Sequence, residues 1–155
     1  MALYKTHTKL NLLICLPITL GICVYLLQTE PRLLLVFSGC FIYGTLYMSP
    51  DLDLAKSIKL FSLRGFLTLP FRGYSRLFRH RGLSHNLFLG TATRLGYLAL
   101  VVLLFTYFVL KIPYFHQDVW HCYLNNKPYF QYGFLGLFLA DAFHILVDSL
   151  TPKRR

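Results

Sequence analysis

The stretch PYFQYGFLGLFLADAFHILVDSL, residues 128–150, is the most informative part of this chain. It is apolar over a length that fits the roughly 17 to 25 residues of a membrane-spanning helix. Its second half nevertheless carries two acids and a histidine. Ionisable residues at membrane depth cost free energy on insertion, and they usually mark a functional site. The stretch therefore predicts both a spanning helix and the position of a site.

Three further apolar stretches have about the length of spanning helices, namely residues 10–27, 33–48 and 87–110, of which the second is short. Hydrophobic residues make up 55% of the 155 residues and charged residues 14%, which excludes an ordinary water-soluble globule. We expect one membrane domain over residues 1–155, an all-α bundle of four spanning helices. Residues 51–86, which interleave basic and apolar side chains, are expected to form a cytoplasmic interfacial segment.

The distribution of basic residues predicts the orientation. Sixteen Lys and Arg stand against six Asp and Glu, a formal charge of +10. Most of them lie before the first span, between the second and third spans, or after the fourth, which are all on one side of a four-span protein. By the positive-inside rule that side is cytoplasmic, so both termini are expected in the cytoplasm. The rule also accounts for the charge without nucleic acid, and we expect no nucleic-acid partner.

Asp141, His144 and Asp148 are spaced i, i+3 and i+7 on the fourth span and share one helix face. An imidazole and a carboxylate on adjacent turns can bind one ion, and a second carboxylate can orient a ligating histidine. Because Asp141 lies deeper, we predict His144 and Asp148 as metal ligands and Asp141 as the residue that orients a ligand. The alternative is a polar stripe that holds helices together.

Other candidate ligands flank the spans on the same side. Asp51 and Asp53 belong to SPDLD, residues 49–53, and His80 and His85 to HRGLSH, residues 80–85. The orientation was inferred from the Lys and Arg residues alone. This orientation nevertheless places the candidate His and Asp ligands in one cytoplasmic layer, together with the end of the fourth span. We predict a metal site formed by His7, Asp51, Asp53, His80, His85, His144 and Asp148.

The donor types indicate the chemistry. Imidazoles and carboxylates without thiolates suit Zn²⁺ or another first-row divalent ion. Such ions activate water and stabilise an in-line phosphoryl displacement. Arg81, with Arg79, can bind an anionic group because a guanidinium matches phosphate, so we predict catalytic roles for Asp51 and Arg81. Arg94 in the third span is expected to snorkel or to pair with a buried acid such as Asp141.

SPDLD, HRGLSH before an apolar span, and the terminal DxxHxxxD of residues 141–148 together resemble a bacterial family of membrane-bound, metal-dependent hydrolases. That family is related to the LexA-binding inner-membrane-associated hydrolases, and the resemblance implies the bacterial inner membrane. More distantly, the order of His and Asp is similar to zinc-dependent phospholipase C and P1 nuclease. This resemblance implies that His144 and Asp148 match an HxxxD pair, Asp51 or Asp53 a bridging Asp, and His80 or His85 an earlier His.

The N-terminal Trp ligand of those soluble enzymes is absent here, so we expect one or two zinc ions rather than three. The leading interpretation is a membrane-bound hydrolase that cleaves a phosphoester at the cytoplasmic leaflet, with a lipid or another phosphorylated compound as substrate. The alternative is a metal-binding membrane regulator or scaffold without catalysis. A transporter is less favoured, because only Asp141 and Arg94 reach any depth.

Overall fold

The computed structural model describes residues 4–48, 73–74 and 87–150, and within these ranges the regular structure is entirely helical. The first helical rod is continuous over α1 (Tyr4–Leu10), a π-helical turn (Asn11–Cys15) and α2 (Leu16–Tyr25). It is followed by α3 (Pro31–Tyr47), α4 (Leu87–Phe108), α5 (Phe115–Asn125) and α6 (Lys127–Leu150). The all-α prediction is confirmed, and the four apolar stretches match helices within a few residues, except that the first rod begins earlier.

Proline shapes the first rod and the start of α3. Pro17 has no N–H to donate, and in a regular α-helix its ring would clash with the carbonyl of the preceding turn. The π-helical turn directly before it widens the helix at that point, with the amide of Leu16 donating to the carbonyl of Asn11. At α3, Pro31 occupies the first turn, where a missing N–H costs nothing.

Three helical stretches are long and apolar enough to cross a membrane: Thr8–Tyr25, Phe88–Phe108 and Lys127–Leu150. The apolar helix α3, Pro31–Tyr47, is shorter. It has 17 residues, which at 1.5 Å per residue is about 26 Å, a little less than the roughly 30 Å of a hydrocarbon core.

Small residues bring α3 and α6 into close parallel contact. A Cβ on Gly136 would lie 2.5 Å from the carbonyl oxygen of Phe37, and one on Gly44 would lie 3.1 Å from the Cβ of Ala140. Such approaches are typical of helix pairs in membranes, where small side chains let the backbones meet. Residues farther along α6 contact residues farther along α3: Gly136 lies at Phe37 and Phe41, and Ala140 lies at Gly44. The two helices therefore run in the same direction.

The first rod and α4 run opposite to this pair. The Asn11 Nδ2 donates to the carbonyl of Ala140 at 3.0 Å, whereas Thr29, after the end of the rod, contacts Tyr132 through hydroxyls 3.1 Å apart. Near the start of α4, Arg94 contacts Asp141. The beginning of the first rod, the end of α3, the beginning of α4 and the end of α6 therefore meet at one end of the molecule, which we call the polar end.

Most of the predicted interfacial segment, residues 51–86, lies outside the described ranges; Gly73 and Tyr74 are the described part. Tyr74 is fully buried, and its hydroxyl lies 3.0 Å from the Oγ1 of Thr93 on α4. Its ring packs edge-on against that of Tyr97, with the centroids 5.6 Å apart. The segment is thus anchored to α4 at this point.

Candidate metal centre

A buried ion pair at the polar end joins α4 to α6, and its arginine also contacts the residue that follows α3. Arg94, which is 1% exposed, forms a two-pronged contact with Asp141: Nη2 donates to Oδ2 at 2.7 Å and Nη1 to Oδ1 at 3.1 Å. Arg94 Nη1 also donates to the carbonyl of Met48, the residue that follows α3. The predicted pairing of Arg94 with a buried acid is confirmed.

The carboxylate of Asp141 is occupied by these contacts. Thr91 donates its hydroxyl to Oδ2 at 2.6 Å, in addition to the two donors from Arg94. A buried charge is tolerated when it is paired and hydrogen-bonded in this way. Asp141 therefore holds α4 against α6, and its predicted role in orienting a ligating histidine stays a prediction.

His144 and Asp148 lie one and two turns beyond Asp141 on α6. His144 is 3% exposed, and its Nε2 is 3.7 Å from Oδ2 of Asp148, whose side chain is 20% exposed. That separation exceeds a hydrogen bond. It is close to the roughly 3.4 Å between two ligand atoms that share one tetrahedral ion at about 2.0 to 2.1 Å. The pair therefore fits a divalent cation in donor chemistry and in spacing.

The other predicted ligands fall beyond what the structure describes. Asp51, Asp53, His80, Arg81 and His85 lie outside the described residues. His7 is a backbone position of α1, and its side chain is likewise not described. Within residues 4–48, 73–74 and 87–150, no group of three or more His, Cys, Asp or Glu is arranged to hold a metal. The described part of the predicted site is thus the pair His144–Asp148.

Two buried polar residues at the polar end were not predicted from the sequence. Asn11, in the π-helical turn, is 1% exposed, and Thr45, on α3, is 4% exposed. Asn11 contacts α6 through the carbonyl of Ala140, four residues before His144. An asparagine within a spanning stretch is a signal for a helix contact, because its amide needs a partner there. Threonine gives no comparable signal, because in many helices its hydroxyl donates to a backbone carbonyl of the preceding turn.

A second set of metal-ligand residue types lies at the opposite end of the molecule. His116, Asp118 and His121 belong to α5, on which each of them is exposed. Trp120 on the same helix is exposed and stacks with Tyr123 at a centroid distance of 5.4 Å. These features are typical of an aromatic, interfacial helix rather than of a binding site.

The comparisons with known proteins address the family but not the reaction. Residues 2–155 match the model of a family described as uncharacterized metal-binding protein (DUF2227). An uncharacterized protein of Aquifex aeolicus (strain VF5) is 43% identical over 60 residues, which are 37% of this chain and 40% of that relative. The match thus spans less than half of the relative's length. No solved structure matches the chain.

Proposed function

This chain belongs to the DUF2227 family of metal-binding proteins, and on that premise we propose that it binds a divalent cation at its polar end, with His144 and Asp148 as ligands. The observation that carries the proposal is the buried imidazole of His144, 3.7 Å from a carboxylate at the end of an apolar helix. Ionisable groups in such a place are costly, and coordination of a cation offsets that cost.

The remaining ligands would come from segments attached to the polar end. Asp51 and Asp53 follow Met48 by three and five residues, and an extended chain spans at most about 3.6 Å per residue, which keeps both within roughly 18 Å of Met48. His85 precedes α4 by two residues, and His80 by seven. His7 lies one turn before Asn11. The chain length therefore allows all of these candidate ligands to reach one centre. We expect this centre to hold one or two ions, with zinc as the first candidate.

We place this centre at the cytoplasmic face of a bacterial inner membrane. The support is the presence of three helical stretches with the length and apolarity to span, and of a fourth, shorter apolar helix. The alternating directions of these helices agree with a single four-span domain that has both termini on one side, and the excess of Lys and Arg on that side favours the cytoplasm. Membrane lipid is then the immediate neighbour of the protein.

The reaction that best suits this donor set is hydrolysis of a phosphoester. Catalytic zinc sites use histidine and carboxylate ligands and keep an open position, whereas cysteine-rich sites are closed and structural. The bound cation would supply Lewis acidity. Asp51 would contribute a carboxylate to the reacting centre, and Arg81 would bind the phosphoryl group through its guanidinium. A lipid or another phosphorylated compound at the cytoplasmic leaflet is the proposed substrate, and no nucleic-acid partner is expected.

The depth of His144 favours a second candidate function. A ligand that is 3% exposed can stabilise the fold without offering a substrate access to the cation. A metal-binding regulator or scaffold without turnover fits this feature as well as a hydrolase does. Only a measurement of turnover separates the two.

Metal content measured by elemental mass spectrometry on detergent-purified protein tests the binding site. We expect about one or more divalent ions per chain in the wild type and none in the Asp51→Ala/His85→Ala/His144→Ala variant, because ligand loss removes the site. The matched control is His116→Ala/Asp118→Ala/His121→Ala, which removes the same residue types from the exposed helix α5. Circular dichroism confirms that each variant is folded. A wild type without metal, even after reconstitution with Zn²⁺ or Mn²⁺, would contradict the proposal.

Catalysis is tested separately on the metal-loaded protein with a panel of phosphoesters. We expect turnover that disappears in Arg81→Ala, while the metal content of this variant stays that of the wild type. Stoichiometric metal without turnover on any compound of the panel would exclude the hydrolase and leave the regulator or scaffold.

A further inference from the structure

A layer of buried polar residues covers the apolar core at the polar end. The core cluster includes Cys15 on the first rod, Phe41 on α3 and Ala140 on α6. On each helix, the residue four positions nearer the polar end is polar and buried, and these residues are Asn11, Thr45 and His144. Residues four apart lie on the same face of a helix. Asn11 contacts the carbonyl of Ala140, Gly44 beside Thr45 approaches Ala140, and His144 lies one turn beyond Ala140. Three helices thus place one polar side chain each within about one turn of Ala140.

Asn11 keeps one unsatisfied oxygen in this layer. Its Nδ2 donates to the carbonyl of Ala140, and since that carbonyl can only accept, the orientation of the amide is settled. The Oδ1 is therefore the atom left over, and it has no hydrogen-bond partner among the described residues. Buried polar atoms are almost always satisfied in native proteins, so an exception indicates an ion or a water molecule.

Thr45 differs from Thr19 and Thr106, two helical threonines whose hydroxyls are satisfied within their own helices. Thr19 donates to the carbonyls of Cys15 and Leu16 in its own helix, and Thr106 donates to that of Leu103. The Oγ1 of Thr45, although buried, makes no such bond within the described part of the chain. Its hydroxyl is thus available to a group that lies outside its own helix.

We propose that Asn11 Oδ1 and Thr45 Oγ1 are further ligands of the cation held by His144 and Asp148. The inference rests on the proposed metal binding and extends it to residues of two more helices. An amide carbonyl and a hydroxyl are hard oxygen donors, and together with His144 and Asp148 they make four ligands from the described residues. The cation would then tie the first rod, α3 and α6 together at the polar end.

The variant Thr45→Val tests this inference because it should weaken metal binding without lowering the stability of the metal-free protein. Valine has nearly the shape of threonine but no hydroxyl. Removal of an unpaired buried hydroxyl should leave the melting temperature of the metal-stripped protein unchanged or raise it. Loss of an oxygen ligand should weaken the binding of titrated Zn²⁺ or Mn²⁺ by about 10-fold. The matched control is Thr19→Val, a buried threonine whose hydroxyl is satisfied within its own helix, and it should leave metal affinity unchanged.

A second variant, Asn11→Asp, replaces the amide by a carboxylate. It removes the Nδ2 donor to the carbonyl of Ala140, which should lower the melting temperature of the metal-stripped protein, and it adds a negative charge that should tighten metal binding if Oδ1 of residue 11 is a ligand. Suppose that His144→Ala abolishes metal binding, whereas Thr45→Val and Asn11→Asp both bind metal with the affinity of the wild type. This result would overturn the inference about Asn11 and Thr45 and would leave the proposed metal function standing. A wild type that binds neither Zn²⁺ nor Mn²⁺ would overturn both. If Thr45→Val binds metal more weakly while its metal-free melting temperature is not lowered, both the metal function and the additional ligands are supported.

Discussion

Arg94 is a buried guanidinium on α4 that links this helix to α6 and to the residue that follows α3. It donates to the carbonyl of Gly90 in α4, to Asp141 in α6 and to the carbonyl of Met48 after α3. These contacts fix the end of α3, from which the SPDLD segment continues, against the part of α6 that carries His144. A single side chain therefore sets the distance between two parts of the proposed site.

We expect Arg94→Leu to lower the free energy of unfolding by about 3 kcal/mol, because it leaves the Asp141 carboxylate buried without its partner. Chemical denaturation in detergent micelles, followed by circular dichroism, measures the change. Arg32→Leu, at an exposed position, is the matched control and should have little effect. The double variant Arg94→Leu/Asp141→Leu should recover most of the loss, since it removes both charges. Equal stability of the Arg94→Leu and Arg32→Leu variants would contradict the role given to this ion pair.

At the scale of elements, the contact between α3 and α6 depends on the absence of side chains. Gly136 faces the backbone of α3, so that an added Cβ would meet the carbonyl of Phe37 at 2.5 Å and the amide nitrogen of Phe41 at 3.1 Å. Backbone atoms cannot rotate away as the end of a flexible side chain can. The two helices would have to move apart to accept even one methyl group.

Gly136→Ala is therefore expected to destabilise the protein by about 2 kcal/mol, although alanine favours a helix over glycine. The control is Gly39→Ala on α3, where nothing lies within 4 Å of the added Cβ. There the helix propensity of alanine should act alone and leave stability equal or slightly higher. Thermal melts of both variants in the same detergent provide the measurement. A Gly136→Ala variant as stable as Gly39→Ala would rule out the close helix contact.

For the whole molecule, the alternating helix directions predict which residues face opposite sides of a membrane. Cys122 on α5 is exposed at the end opposite the polar end, whereas Cys15 and Cys23 are buried and Cys40 is half-buried. A membrane-impermeant maleimide should label the wild type in cells with an intact inner membrane and should not label Cys122→Ser. In the Cys122→Ser protein, an added Arg155→Cys substitution should be labelled only after the inner membrane is permeabilised, because both termini are expected in the cytoplasm. Labelling of Arg155→Cys in intact cells would contradict this topology.

The helices could be predicted from the sequence because long apolar stretches are decided by local composition. Residues 87–110 and 128–150 became α4 and α6 almost at the predicted bounds. Helix α5 could not be recognised in the same way, since its polar and aromatic residues alternate without a long apolar stretch. The π-helical turn was likewise missed, because Pro17 alone does not indicate how the preceding turn adapts.

The all-helical class, the four apolar stretches and the excess of Lys and Arg between and beside them could be read from the amino-acid sequence alone, since each depends on which residues lie near one another along the chain. For Arg94 the sequence left two alternatives, snorkelling or pairing with a buried acid, and the structure shows the pairing with Asp141. The folded structure was needed to place Asn11 and the Gly44–Thr45 part of α3 next to Ala140, one turn before His144, and Gly136 against the backbone of α3. Those relations depend on which helix faces meet, and distant parts of the chain decide that together through their packing.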